Sequence, residues 1–181
     1  MIKNNCPIRG INILNKAISK IQLHNNQLTS IHADFCQLCI LSKCFKPALY
    51  FLNSEVNDIS KEGGQFDVKY FLLYYYYGGI IYAALKNYKR ALFFFEIAIT
   101  TPSLVVSMIM VEAYKKFILV ALILDGKVPT LPKYTSQVVS RVFKHFIRHY
   151  NELASAYSTN NPDVFSTVIA RHRDIYIRVI V

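Results

Sequence analysis

The chain has 181 residues and a formal net charge of +10, with 53% hydrophobic and 18% charged residues. This length suits one domain or part of a longer repeat array, and the apolar share excludes a disordered chain. The composition is also apolar for a free-standing soluble protein, which predicts that part of the surface is buried against neighbours.

Eight helices are predicted, because apolar residues recur at helical spacing and few segments alternate as strands do. We expect them at Pro7–His24, Ser30–Lys43, Phe45–Asn53, Asp67–Lys86, Tyr88–Thr100, Ser103–Leu124, Ser136–Tyr157 and Pro162–Ile177. Thr29 or Ser30 can cap the second helix, and Gly126 can end the sixth. Asn161 and Pro162 supply a cap and a first-turn proline for the last.

Membrane and secretory classes are disfavoured. The longest uncharged run, Tyr70 to Leu85, has 16 residues, and a membrane-spanning helix needs about 20. The N-terminus shows no apolar segment of the secretory-signal type. Cys36, Cys39 and Cys44 are too close together for a disulfide framework, so we expect a reducing compartment, cytosol or nucleus.

Twelve residues recur in modified form 43 positions later: LSKCFKPALYFL (Leu41–Leu52) is echoed by ALKNYKRALFFF (Ala84–Phe95). Self-similarity at such a period is typical of a solenoid, which holds partners more often than it catalyses. The sequence therefore predicts an all-α fold, a right-handed solenoid of antiparallel helix pairs forming one domain over residues 1–181.

The second copy fits the tetratricopeptide pattern W-x2-L-G-x2-Y…A-x3-F…P. Tyr75, Gly79 and Tyr82 take the positions of its first helix, and Ala91 and Phe95 those of its second. Small residues let two helices approach and large ones fill the space between them. Degenerate tetratricopeptide-like units are thus expected at about 29–53 and 67–102, with further helix pairs over 103–181.

The first copy places His32, Cys36, Cys39, Ala48 and Leu52 at the same packing positions. His32, Cys36 and Cys39 would share one helix face, where they could hold a metal ion. Packing is the favoured interpretation, because the register equates Cys36 with Gly79 and Cys39 with Tyr82, and free cysteine packs as a small apolar residue. We predict no metal and no cofactor.

The run from Tyr74 to Tyr77 covers every side of its helix, since successive residues lie about 100° apart. A stacking platform for nucleic acid is one interpretation. Packing is favoured, because the same helix carries the tetratricopeptide positions.

A basic stripe runs along the seventh helix, with Arg141, Lys144 and Arg148 joined by His145 and His149. The opposite face is apolar, so the helix is amphipathic. Solvation is the favoured interpretation, and an acidic protein surface or a phosphate backbone is the alternative. Nucleic acid is disfavoured, because no recognised binding motif accompanies the charge.

Catalytic motifs are missing from the sequence, which contains no phosphate-binding loop followed by lysine, no H-E-x-x-H and no G-x-S-x-G. The pairs Gly63-Gly64 and Gly78-Gly79 lack the flanking residues of nucleotide sites, and acidic residues are mostly isolated. We predict no catalytic residues, no small-molecule substrate and no enzyme activity.

Several longer motifs carry a specific resemblance. They are PIRGINIL (Pro7–Leu14), QLTSIHADFCQLCILSKCFKPAL (Gln27–Leu49), YYYYGG (Tyr74–Gly79), AITTP (Ala98–Pro102), LPKYTSQ (Leu131–Gln137) and YSTNNP (Tyr157–Pro162). In these motifs the chain resembles the subunit 3 family of the COP9 signalosome, a PCI-domain family, from about Pro7 to Pro162.

The resemblance implies a non-catalytic scaffold of helical repeats within a complex that removes a ubiquitin-like modifier from cullin-RING ubiquitin ligases. It implies other signalosome subunits as partners, catalysis by a separate zinc metalloprotease subunit, and residence in cytoplasm and nucleus. Relative to the family, the chain is expected to begin inside the helical repeats and to lack the PCI winged helix. Residues 163–181 are expected to be unlike the family. The alternative is a stand-alone tetratricopeptide-like adaptor that binds a peptide or an acidic protein partner.

Overall fold

The computed structural model describes residues 7–61, 67–102 and 105–180, with only the backbone of Ser140 and of residues 178–180. The chain divides into two compact units, Met1–Asn87 and Tyr88–Val181. The Gly63-Gly64 pair and the predicted start of the sixth helix at Ser103 lie outside the described residues. The expectation of a single domain over the whole chain stays a prediction.

Ten helices and one pair of two-residue strands make up the regular structure of the described residues. The helices are α1 (Pro7–Ile21), α2 (Ser30–Leu41), α3 (Lys46–Leu52), α4 (Val68–Ala84), α5 (Tyr88–Thr100), α6 (Met108–Asp125), α7 (Gln137–Phe146), α8 (Arg148–Ser158), α9 (Pro162–Arg171) and α10 (Arg173–Ile180). The strands are β1 (Gln27–Leu28) and β2 (Asp58–Ile59). The all-α prediction is confirmed. No described helix has the length and apolar character required to cross a lipid bilayer.

In the first unit, α2 is the central helix and contacts α1, α3 and α4. It is apolar on several sides, and Phe35, Cys36 and Cys39 are fully buried. A helix that buries residues on several faces needs neighbours on each of them. The packing of helix against helix around α2 is that of a helical-repeat protein.

The strand pair was not predicted, since each strand is too short to leave a periodic signal. β1 and β2 run parallel, with Gln27 opposite Asp58 and Leu28 opposite Ile59. The side-chain amide of Gln27 donates to Asp58 Oδ2 over 2.9 Å, and Gln27 Oε1 accepts from the backbone N–H of Leu23 over 3.0 Å. Gln27 is buried, and these bonds offset the cost of burying its polar groups.

The two copies of the repeat adopt the same backbone turn. Lys43 and Lys86, which are equivalent in the repeat, have φ of 54° and 61°. After α2, Lys43 N–H donates to Ile40 O and Cys44 N–H donates to Cys39 O. After α4, the corresponding bonds run from Lys86 to Ala83 and from Asn87 to Tyr82. Each helix therefore ends in a Schellman motif whose left-handed residue is a lysine instead of the usual glycine.

Burial also matches between the copies. Ala48 and Ala91 are both 0% exposed. The aromatic residue two positions later is exposed in each copy, with Tyr50 68% and Phe93 50% exposed. The sequence repeat thus marks a repeat of local structure.

In the second unit, α6 is the central helix and contacts α5, α8 and α10. Its Met110, Ala113 and Ile118 are fully buried. Gly126 ends α6 in the left-handed region at φ 69°, and its N–H donates to Leu122 O over 3.1 Å. The predicted glycine stop is confirmed.

Two predicted helices are each broken in two. The helix expected at Ser136–Tyr157 breaks at Ile147, which has φ −110° and ψ 8° and separates α7 from α8. The helix expected at Pro162–Ile177 breaks at His172, which has φ −118° and ψ 23°. Neither break contains a proline or a glycine, the residues that usually mark the end of a helix in a sequence. Ile147 is 3% exposed, so its burial outweighs the local preference to continue the helix.

Two predicted caps are confirmed. Thr29 is the N-cap of α2. Asn161 is the N-cap of α9, where its side-chain oxygen accepts from the backbone N–H of Asp163 over 3.0 Å, and Pro162 follows in the first turn.

Candidate functional site

His32 lies at the start of α2 and helps to close that helix end. Its Nδ1 accepts a hydrogen bond from the backbone N–H of Thr29 over 3.1 Å and lies 2.9 Å from Thr29 Oγ1. The ring packs edge-on to Phe51 and Tyr74, with centroid distances of 5.0 and 6.0 Å. Burial lowers the pKa of His32 to about 4. The side chain therefore acts as a neutral capping and packing group.

The two cysteines on the same helix are set in an apolar environment. Burial raises the pKa of the Cys36 thiol, and it raises the pKa of Cys39 to about 12. A thiol must be deprotonated to bind a metal or to attack a substrate. The burial of Cys36 and Cys39 opposes loss of the thiol proton. It therefore favours the packing interpretation over a metal site with His32.

The tyrosine run on α4 is divided between the core and half-buried positions. Tyr74 and Tyr75 are buried, while Tyr76 and Tyr77 are half-buried. Tyr74 Oη donates to Phe51 O over 3.1 Å within the first unit. Because the rings of Tyr74 and Tyr75 are covered, the run does not present four free faces on which bases could stack.

All the residues assigned to repeat packing are buried. They are Cys36, Cys39, Ala48, Tyr75, Gly79, Tyr82, Ala91 and Phe95. Tyr82 Oη donates to Asn53 Oδ1 over 2.7 Å, which satisfies the hydroxyl of a ring that is only 2% exposed. Burial supports a packing role for these residues, and the pairing predicted between the two helices of the unit stays a prediction.

The basic stripe does not lie on one helix. The break at Ile147 puts Arg141 and Lys144 on α7 and Arg148 on α8. All three side chains are exposed. Arg148 Nε donates to Glu152 Oε1 over 3.2 Å, so part of its charge is directed at a neighbouring carboxylate. The stripe is thus interrupted, which weakens the comparison with a continuous binding face.

Sequence reasoning missed a group of three potential metal ligands: one ligand atom each from His149, Glu152 and His172 lies within 4.8 Å of the others. It is the one group of three or more histidine, cysteine or acidic side chains that comes together in this way among the described residues. His149 and Glu152 stand three residues apart on α8, and His172 lies at the break between α9 and α10. The His-x-x-Glu spacing was visible in the sequence, but nothing there placed His172 beside it.

One hydrogen bond and one ring contact link the members of this group, which we call the His-Glu-His cluster. His172 Nε2 lies 3.1 Å from Glu152 Oε2, and the rings of His149 and His172 are 4.3 Å apart between centroids. The bonds from His172 and Arg148 lower the pKa of the Glu152 carboxyl. Tyr176 Oη donates to the backbone oxygen of His149 over 2.8 Å, which ties α10 to the first turn of α8.

Comparison with known proteins agrees with the repeat architecture. Residues 1–139 match the family model described as COP9 signalosome complex subunit 3, N-terminal helical repeats. The chain is 40% identical to COP9 signalosome complex subunit 3 of Drosophila melanogaster over 98% of its own length and 43% of that protein. It is 42% identical to the protein of the same name from Dictyostelium discoideum, over 86% of the chain and 38% of that protein.

The chain therefore spans about two fifths of the length of these curated relatives. The alignment with the Drosophila protein extends past Pro162, because only 2% of the chain lies outside it. No identity is known for residues 163–181 alone, so the expectation that they are unlike the family stays a prediction.

Proposed function

Because the chain belongs to the family of COP9 signalosome subunit 3 N-terminal helical repeats, we propose that it is a structural part of a signalosome. In this proposal the chain holds other subunits of the complex and does no chemistry itself. It supports protein deneddylation, the removal of a ubiquitin-like modifier from cullin-RING ubiquitin ligases, which another subunit would catalyse. We expect it in the cytoplasm and the nucleus, where the resembled family acts.

The observation that carries the proposal is the family match over residues 1–139, which takes in every helix from α1 to α6. Those helices bury a conventional core in each unit, yet large apolar side chains stay exposed. Among them are Ile8, Leu23, Tyr50, Phe93, Met108 and Ile123, each at least 50% exposed. Single exposed apolar side chains are common on soluble proteins, so these residues agree with the proposal, and the family match carries it.

The surroundings of His32, Cys36 and Cys39 support a non-catalytic role for these three residues. Burial raises the pKa of the Cys36 and Cys39 thiols, which favours their protonated form. His32, whose pKa burial lowers to about 4, is engaged at a helix end. Nucleophilic catalysis needs the opposite arrangement, a nucleophile beside a base with a pKa near the working pH. A scaffold subunit needs a stable surface for its partners and no reactive side chain.

The test is co-expression of the tagged chain with the remaining signalosome subunits, followed by affinity capture and size-exclusion chromatography. We expect the chain to elute with several of them in one peak. Phe35→Asp serves as the control for non-specific capture, because a charge at this fully buried site should unfold the first unit. Elution of the folded wild-type chain as a lone monomer would refute the proposal and favour a stand-alone adaptor.

A further inference from the structure

We propose that the His-Glu-His cluster, His149, Glu152 and His172, binds a divalent transition-metal ion of the zinc type. Two imidazole nitrogens and one carboxylate oxygen form a donor set that zinc accepts in proteins. Imidazole donors favour zinc over magnesium or calcium, which prefer sites built entirely of oxygen. None of its three ligands is a repeat packing residue, and the site is independent of the scaffold proposal.

The geometry requires only small movements. Ligand atoms bound about 2.1 Å from a tetrahedral zinc lie about 3.4 Å from one another. In the His-Glu-His cluster the ligand atoms are all within 4.8 Å, and His172 Nε2 is already 3.1 Å from Glu152 Oε2. Rotation of side chains alone can close the remaining gap around an ion.

The neighbours of the cluster hold its ligands in place. Arg148 binds Glu152 Oε1 over 3.2 Å, which turns the second oxygen, Oε2, toward His172. Outer hydrogen bonds of this kind orient metal ligands and raise affinity. The positive charge of Arg148 repels a metal cation. Binding would therefore depend on the two imidazole donors more than on net negative charge.

A second observation is the state of His149. Its Nδ1 is buried and makes no hydrogen bond. A buried polar atom without a partner costs free energy, and most such atoms in native proteins are satisfied. A metal ion or a water molecule held by one would supply the missing interaction. Three protein ligands leave a fourth position for a water or for a partner's side chain.

The experiment uses the full chain, freed of any histidine tag and stripped with a chelator. Zinc is titrated by calorimetry, and Co²⁺ is added separately to read the ligand type from its visible spectrum. Glu152→Gln and His172→Gln remove a ligand, while His145→Gln on the exposed side of α7 is the matched control. Circular dichroism verifies that each variant is folded.

We expect one zinc ion per chain, at least tenfold weaker binding in Glu152→Gln and His172→Gln, and unchanged binding in His145→Gln. The cobalt spectrum should be that of nitrogen and oxygen ligands. Equal affinity in all four proteins, a thiolate-to-cobalt charge-transfer band, or no binding would each overturn the proposal. If His172→Gln fails to fold, Glu152→Gln decides, since it keeps the size of the side chain and replaces the carboxylate by an amide, a much weaker zinc ligand.

Discussion

Replacing the left-handed lysines of the repeat with glycine should stabilise the protein. Lys43 and Lys86 have φ of 54° and 61°, in the region where a side chain crowds the following carbonyl. That conformation costs a residue other than glycine about 1–2 kcal/mol. Both lysines are exposed, so the loss of their side chains removes little packing.

The gain is reduced by the unfolded state. Glycine gives the unfolded chain more conformational freedom, which lowers stability by about 0.5–1 kcal/mol. The net expectation is a rise in the free energy of unfolding of about 0.5–1 kcal/mol for Lys43→Gly, and the same for Lys86→Gly. Lys16→Gly is the control, because Lys16 is exposed within α1. There the change should lower stability by about 0.7 kcal/mol.

The assay is urea unfolding followed by far-ultraviolet circular dichroism, with the slope against urea compared among the variants. Opposite signs for the turn variants and Lys16→Gly would support the shared turn geometry. Destabilisation by Lys43→Gly or Lys86→Gly equal to that of Lys16→Gly would refute the reasoning, since it would mean that these lysines are not left-handed in the folded protein.

Two further predictions concern a buried histidine and a helix end. Because burial lowers the pKa of His32 from 6.5 to about 4, the unfolded chain binds the extra proton first, and the free energy of unfolding should fall by about 3 kcal/mol as the pH drops from 7 to 4. The free energy of unfolding is measured by urea unfolding at several pH values, and His32→Asn should lose this part of its pH dependence. The same pH dependence in His32→Asn and in the wild-type chain would contradict the assignment. Gly126→Ala should lower the free energy of unfolding by about 1 kcal/mol, because the residue has a positive φ. A steric clash adds nothing, since the added Cβ would lie 3.7 Å from Tyr157, an ordinary contact. Thermal unfolding measures this change, and no loss of stability would contradict a left-handed Gly126.

Much of the fold could be predicted from local pattern. Helical periodicity gave the number and rough position of the first six helices, and the repeat gave the equivalence of Lys43 with Lys86. Caps such as Thr29 and Asn161 were readable because their chemistry acts within three residues. The two breaks were not, because neither Ile147 nor His172 carries a local signal that ends a helix.

The candidate sites divide along the same line. The packing interpretation of Cys36 and Cys39 comes from setting one copy of the repeat on the other, and their burial supports it. The basic stripe was drawn for an unbroken helix, and the break at Ile147 moved Arg148 to α8. Arg148 binds Glu152 four residues further along α8, a contact that helical spacing predicts. Helical spacing within this segment gives no information about the position of His172.

The sequence by itself determined the repeat, the helical class and the family. These depend on short-range spacing and on motifs that are visible in the order of the residues alone. Only the tertiary structure brought His172 to His149 and Glu152, which lie more than a helix away along the chain. Contacts between distant segments depend on how buried surfaces pack, and packing follows from the shapes of all the side chains together and leaves no periodic trace in the sequence.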